Sequence, residues 1–182
     1  MRKIVSNLFM SLDGVVEAPD RWSLAYWTDE IGQAVGSGMA AADAMLLGRV
    51  TYQGFAEAWP GRTVDEDEGA EFMNSVRKYV VSTTLTDVDW HNSVLLQGDP
   101  SVAVRALKAG SGGEIMTSGS TTLVRWLLAE GLVDELNLLV YPVVVGSGKR
   151  LFPEDGPQFP LRLRKSAEFS NGVLHLVYGP VS

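Results

Sequence analysis

Apolar positions recur along this chain in two alternating periods. Lys3 to Met10 is mostly apolar, with β-branched Ile4 and Val5 early, which predicts a strand. Ser11-Leu12-Asp13-Gly14 breaks it. Residues 15–28 then form a loop holding Pro19, Trp22, Tyr26 and Trp27. From Asp29 to Ala42 the spacing of Ile31, Ala34, Val35 and Met39 gathers apolar side chains near one face of a helix, which Thr28 or Asp29 can cap. Ala44 to Leu47 predicts a short strand ending at Gly48. Arg49 to Trp59 predicts a second helix, stopped by Pro60-Gly61.

Further on, Lys78–Ser82, Ser93–Gln97 and Glu114–Thr117 predict strands. Pro100–Ala109 reads as a helix with Pro near its start and Gly110 after its end. Ser120–Glu130 is a helix with Leu123, Trp126 and Leu127 at helical spacing, closed by Gly131. Val133–Val145 is expected to be one long β segment. Leu161–Phe169 and Val173–Tyr178 form a hairpin around Asn171-Gly172. Strands and helices alternate through residue 130, and only strands follow. That order predicts an α/β sheet, parallel in its first part, with an antiparallel C-terminal edge. No linker or repeat interrupts it, so a single domain spanning 1–182 is expected.

Composition narrows the chemistry. Fifteen Lys and Arg oppose twenty-two Asp and Glu, a formal net charge of −7, and no basic stripe appears. Nucleic acid and anionic membrane surfaces are therefore not expected partners. The chain has no Cys and only two His, His91 and His175, far apart in sequence. Thiol chemistry and Cys-type metal sites are excluded, and a His-based metal site is not expected. The N-terminus runs straight into a strand pattern and no apolar run reaches membrane-spanning length, so the expected location is the cytoplasm. Part of the acidity is the run Asp65-Glu66-Asp67-Glu68, with Glu71, expected to be the solvated first turn of a helix.

Candidate chemistry collects at three strand-to-helix junctions. Ligands of open α/β sheets bind beyond the carboxyl ends of strands. The first junction is Gly48-Arg49-Val50-Thr51-Tyr52, the second Ser82-Thr83-Thr84, the third Thr117-Ser118-Gly119-Ser120-Thr121-Thr122. Each is consistent with an ordinary capped helix start or turn. Three in succession fit a dinucleotide site built from several short turns. A G-x-G-x-x-G motif after the first strand is missing, which excludes a standard Rossmann site.

These segments occur in a fixed order with Ser11-Leu12-Asp13-Gly14, Leu132-Val133-Asp134-Glu135-Leu136 and Pro142-Val143-Val144-Val145-Gly146-Ser147-Gly148-Lys149-Arg150-Leu151-Phe152. Together they resemble the dihydrofolate-reductase-like superfamily. More narrowly, they resemble the C-terminal reductase domain of the riboflavin-biosynthesis deaminase-reductase and its stand-alone relatives. The resemblance implies a three-layer α/β fold and a homodimer. It also implies an NADPH-dependent reductase passing a hydride to a small pterin- or pyrimidine-like heterocycle. By the same resemblance Gly48, Arg49, Val50 and Thr51 meet the cofactor phosphates, Arg49 being the candidate for the 2′-phosphate. Ser82, Thr83 and Thr84 line the adenosine end, and Gly119, Ser120 and Thr121 cradle the pyrophosphate. Nicotinamide lies beside Leu12 and Asp13. Trp22 and Trp27, in a loop rich in large flat side chains, are candidates for the rim of the substrate pocket, and simple loop packing explains them equally.

Departures from the family pattern bear on the substrate. Val15 stands where the riboflavin reductases place Lys, and Thr117-Ser118-Gly119 where they carry Glu-Gly-Gly. Both lost groups would touch a phosphoribosyl-pyrimidine. Asp29 is either a pocket acid or a helix cap, and Asp13 either binds substrate or shapes its turn. The lost groups keep open an alternative, a non-catalytic NADP-binding or regulatory homodimer. His91 is expected at the surface. His175, alternating with Leu174 and Leu176, is expected to point to solvent or a subunit contact. Gly146-Ser147-Gly148 is read as a tight connection instead of a phosphate nest. Asp134 and Glu135 are expected on opposite sides of their strand. Leu138, Val140, Val173, Leu174, Leu176 and Tyr178 are the apolar positions expected to serve a dimer contact.

Overall fold

A computed structural model describes residues 1–181. The first apolar run becomes β1 (Ile4–Ser11). It lies inside the sheet, parallel to β5 (Glu114–Thr117) on one side and β6 (Glu135–Tyr141) on the other. A strand covered on both faces is apolar at successive positions, as Ile4 and Val5 are. Beyond β5 come β2 (Ala42–Gly48), β3 (Arg77–Val81) and β4 (Ser93–Leu95), all parallel. Beyond β6 come β8 (Leu174–Pro180) and β7 (Leu161–Glu168), both antiparallel. The eight strands thus run β4-β3-β2-β5-β1-β6-β8-β7 in one sheet. The expected parallel part and antiparallel edge are both present.

The two faces are packed differently. On one face, α4 (Pro100–Ala109) and α5 (Thr121–Ala129) join the sheet in one continuous core, from Ile4 and Leu46 to Val104 and Leu127. The other face carries two separate clusters. One forms around α2 (Arg49–Ala58) and α3 (Ala70–Ser75), with Met45, Tyr52, Met73 and Val80. The other forms under α1 (Asp29–Ala41), with Ile31, Leu139 and Tyr141. The gap between them positions the site.

Local chemistry shifted some expected boundaries. The long β segment stops at Tyr141 because Pro142 lacks a ladder donor. Residues 143–150 then fold back along the end of β1, with Leu12 N–H donating to Val143 O at 2.8 Å and Val16 N–H to Lys149 O at 2.9 Å. Asp65 to Glu68 do not form a helical turn, since α3 begins only at Ala70, whereas Glu71 does lie in its first turn. Instead Asp67 Oδ1 accepts the Gly69 N–H at 2.9 Å, and Glu66 Oε2 accepts the Thr63 N–H at 2.9 Å. Carboxylates that bind nearby backbone amides compete with helix formation. Of the positions expected to serve a dimer contact, Leu138, Val140, Val173, Leu176 and Tyr178 pack within the chain's own cores, and Leu174 stays exposed. No helix among the described residues is long and apolar enough to cross a membrane.

Candidate functional site

The gap between α1 and α2 opens into a cleft of about 550 Å³. Its floor is the sheet itself. Asn7 and Phe9 come from β1, Asn137 and Leu139 from β6, and His175 from β8. Asn7 is the register partner of Asn137, and Leu139 that of His175, so these side chains share one face. Met39, Met45, Met73, Met116, Phe55 and Trp59 build the inner walls.

At the mouth the sheet order brings the three junctions together. They follow β3, β2 and β5, which are consecutive neighbours. Gly48 pairs with Val81, placing Ser82 just beyond the start of α2. Gly48 N–H reaches Gly119 O at 3.3 Å. The fit leaves no room for side chains. A Cβ on Gly48 would lie 2.5 Å from Ser120 Oγ, and one on Gly119 2.7 Å from Thr51 Oγ1. Gly119 also has φ of +139°, which disfavours any side chain.

Side-chain caps are present on α1 and α4 and absent from α2, α5 and the short α3. Thr28 Oγ1 caps α1 by accepting the Ile31 N–H, and Asp99 caps α4 through the Val102 N–H. Thr28, and not Asp29, is therefore the cap of α1. Neither Gly48 at α2 nor Ser120 at α5 makes such a bond. Two helix starts, adjacent at the cleft mouth, thus present N–H groups without a side-chain partner. That arrangement suits an anion of the pyrophosphate type.

The sequence candidates divide by position. Val50, Thr51, Gly119, Ser120, Thr121 and Trp27 line the cleft. Arg49 is exposed at the start of α2 and reaches only Gln53, at 3.4 Å. Ser82 Oγ accepts the N–H groups of Thr84 and Leu85 at 3.1 and 3.0 Å, so this hydroxyl shapes its own turn. Leu12 is exposed, and like Asp29 it lies outside the cleft lining. Trp22 packs edge-on against Tyr141 with ring centroids 5.5 Å apart, and its indole N–H donates to Glu17 O at 3.0 Å. It supports the loop and does not line the cleft.

Asp13 takes the turn-shaping role. Its carboxylate accepts from Ser11 Oγ at 2.7 Å and from the Val145 and Gly146 N–H groups at 3.0 and 2.9 Å. The Ser11 hydroxyl first, then those two amides, hold its pKa down to about 2. Asp13 thereby occupies the amides at the start of the Gly146-Ser147-Gly148 segment, which is a connection and not a phosphate nest. Asp134 and Glu135 do face apart: Asp134 pairs with Lys108, and Glu135 with Lys3 at 2.8 Å.

His175 departs from expectation. It lines the cleft half-buried, 6.0 Å from the Phe169 ring, because it shares the cleft face with Leu139, its register partner on β6. Burial, and then neighbouring Lys165, lower its pKa. Asn7, Asn137 and the methionine walls had no place among the sequence candidates. For the two asparagines the signal was polar residues interrupting apolar strands, Ser6-Asn7 within Ile4–Phe9 and Asn137 within Leu136–Leu139.

Fold and cleft together define a dihydrofolate-reductase-like α/β domain with an open cleft between the two clusters on one face of its sheet. The chain belongs to the RibD C-terminal domain family, whose model matches residues 2–175. This is a reductase-like family. The Bacillus subtilis (strain 168) protein YyaP, itself uncharacterized, is 29% identical over 187 aligned residues, covering 97% of this chain and 94% of YyaP. A protein of Shewanella sp. PV-4 assigned to riboflavin biosynthesis has a similar structure, with a TM-score of 0.78, 21% identity and full coverage of both chains. Dihydrofolate reductase from Enterococcus faecalis, solved with NADP(H) and RAB-propyl, gives a TM-score of 0.64 at 13% identity, covering 99% of this chain and 97% of that one.

Proposed function

We propose that this protein is a cytoplasmic, NADPH-dependent reductase that passes a hydride to a small flat heterocycle bound in the cleft. The observation that carries the reading is the mouth of the cleft. Two adjacent helix starts lack side-chain caps, and Gly48 and Gly119 meet Ser120 and Thr51 so closely that a Cβ is excluded. That donor set fits the pyrophosphate of a dinucleotide. The family supports it, as does the NADP(H) in the name of the Enterococcus faecalis structure.

In this reading Thr51, Gly119, Ser120 and Thr121 hold the pyrophosphate by hydroxyl and backbone N–H groups. Arg49, exposed beside them, reads the 2′-phosphate with its forked donors. NADPH supplies the hydride when bound. Asn7 and Asn137 orient the substrate on the sheet, and the apolar walls keep water away from the reacting face. Asp13 stays ionised and committed to its loop, so the accompanying proton comes from another source.

Titration with NADPH, followed by tryptophan fluorescence, tests the proposal. Trp27 and Trp59 both line the cleft, so binding should quench emission. Arg49→Ala should weaken NADPH binding about tenfold or more while leaving NADH within about twofold, in line with one lost charge-assisted contact. No quenching at millimolar NADPH overturns the reading, and equal losses for both cofactors remove Arg49 from 2′-phosphate recognition. We also propose that the protein works as a homodimer.

A further inference from the structure

We propose that the end of the cleft farthest from its mouth recognises a carboxylate on the bound ligand, through His175 on β8 and Lys165 on β7. This assigns one chemical group to the ligand of the site read above as a reductase cleft, and it rests on that reading.

Sheet order fixes where this end lies. The glycine-tight mouth is built on β2 and β5, and from β5 the strands run β1, β6, β8. Strand spacings of ~4.8 Å put His175 about 14 Å across the sheet from β5. A pyrophosphate held at the mouth is thus well separated from His175, which is left for a second ligand. Across the cleft floor one row is Phe9–Leu139–His175–Ala167 and the next is Asn7–Asn137–Val177–Lys165. Residues opposite each other share a face of the sheet, so Lys165 stands on the cleft side of β7, diagonal to His175.

Both groups are free to take a ligand. The ionisable side chains that line the cleft are Glu17, Asp67, Lys149 and His175. Lys149 Nζ lies 3.6 Å from Glu17, and Asp67 lies 3.7 Å from Arg62. His175 has no such partner among the described residues. Burial and the Lys165 charge are what act on its ring, and both disfavour the imidazolium. Lys165 is exposed and makes no ion pair among the described residues, whereas Arg164 beside it pairs with Glu135 at 3.8 Å.

No acid of the chain balances them. On the cleft face β6 sets Leu139 and Asn137 beside His175, and β7 sets Ala167 and Lys165 there. From α1 the cleft lining holds Ala34 and Val35, and the hairpin turn adds the Phe169 ring. Glu168 opposes Leu174 and so takes the other face, and Glu30 of α1 accepts the Ser170 N–H at 2.9 Å. In a chain of net charge −7 this end of the cleft thus carries a cation and a protonatable ring. Two point donors on neighbouring strands match the two oxygens of a carboxylate. A bound carboxylate favours the imidazolium, so its binding takes up a proton at His175.

Isothermal calorimetry with indole-3-acetate and its neutral isostere indole-3-acetamide tests this. The acid should bind about tenfold more tightly than the amide at about pH 5.5, and about twofold at about pH 8.5, where only Lys165 is charged. In His175→Gln the preference should stay at about twofold at either pH. In Lys165→Gln, a change at an exposed position, the His175 ring followed by proton NMR should titrate at higher pH than in wild type, because a neighbouring cation is gone. Equal affinity for acid and amide at the lower pH, or no binding of either at millimolar concentration, overturns the proposal. So does a wild-type preference that ignores pH, one that survives in full in His175→Gln, or an unmoved His175 titration in Lys165→Gln. Should His175→Gln not fold, the wild-type pH comparison and Lys165→Gln decide. NADPH binding to the same protein is read separately by fluorescence. Its absence with the acid preference intact refutes the cofactor reading only, and its presence without that preference refutes only this one.

Discussion

Gly48 and Gly119 show how single residues can hold a site open by lacking a side chain. Gly119→Ala would bring a Cβ within 2.7 Å of Thr51 Oγ1 at a φ of +139°. Ala at positive φ and in a packed contact is destabilising, here by about 1–3 kcal/mol. Its melting temperature should drop by several degrees and its NADPH affinity should fall with it. Gly36→Ala is the control. Its Cβ would meet nothing within 4 Å on α1, so it should raise stability by about 0.5–1 kcal/mol and leave cofactor binding unchanged. Thermal melts and fluorescence titration separate the two outcomes.

Lys78 is the other residue with a measurable signature. Its side chain is fully buried in β3, with the ammonium 3.0 Å from the carbonyls of Val76 and His91 and 4.1 Å from the Trp90 ring centre. No carboxylate compensates it, and burial lowers its pKa from 10.5 to about 8. The unfolded chain holds this proton up to pH 10.5, the folded one only up to about 8. Between those values the unfolded state binds more protons, so stability rises with pH across the window. Below pH 8 the folded state carries the full penalty, on the order of 3 kcal/mol. In urea melts wild type should gain about 3 kcal/mol relative to Lys78→Met across this window. A constant difference would show that Lys78 titrates normally.

At the scale of elements, the segment after β6 matters most. Pro142 ends the strand, and residues 143–150 return along the end of β1 under the hold of Asp13. The folded Asp13 carboxyl takes up its proton only near pH 2, whereas its unfolded value is 3.8. The stability it contributes is fully present above pH 3.8 and is lost as pH falls toward 2. Asp13→Asn should flatten that acid limb. It should also speed hydrogen exchange at the Val145 and Gly146 amides, because a carboxamide has only one acceptor oxygen for these partners. Unchanged exchange would mean the segment is held by its backbone bonds alone. The acidic stretch at 65–68 carries the same lesson. Helix-favouring charge at a predicted N-terminus gave way to Asp67 and Glu66 binding nearby amides.

For the molecule as a whole, the uneven packing of the sheet creates the site. One face is a single core, and the other is split into two clusters with the cleft between them. Subunit contact is decided at the same scale. Most of the apolar residues expected to reach a partner are consumed by the chain's own cores. Leu174, Leu163 and Phe152 remain exposed toward the C-terminal end. Light scattering at micromolar protein should return twice the chain mass of 19.7 kDa, and a monomeric mass would refute the homodimer. Replacing Leu163 and Phe152 by Ser should shift that mass toward the monomer.

The parallel-then-antiparallel sheet, most of the strand and helix order and the three hydroxyl-rich junctions, two of them with glycine, were legible in the amino-acid sequence. Each depends on local periodicity and turn chemistry, which act over a few residues. The family resemblance was legible for a related reason, since its motifs are these same turns. Only the tertiary structure decided which residues face the cleft. Asn7 and Asn137 lie 130 residues apart and meet because β1 and β6 are neighbours. His175 faces the cleft because β8 pairs with β6 in the register that sets it beside Leu139, and Asp13 turned structural because a loop more than a hundred residues away folded onto it. Spacing along a chain sets which face a side chain takes. What lies opposite that face is set by strand order, and strand order comes from long-range pairing.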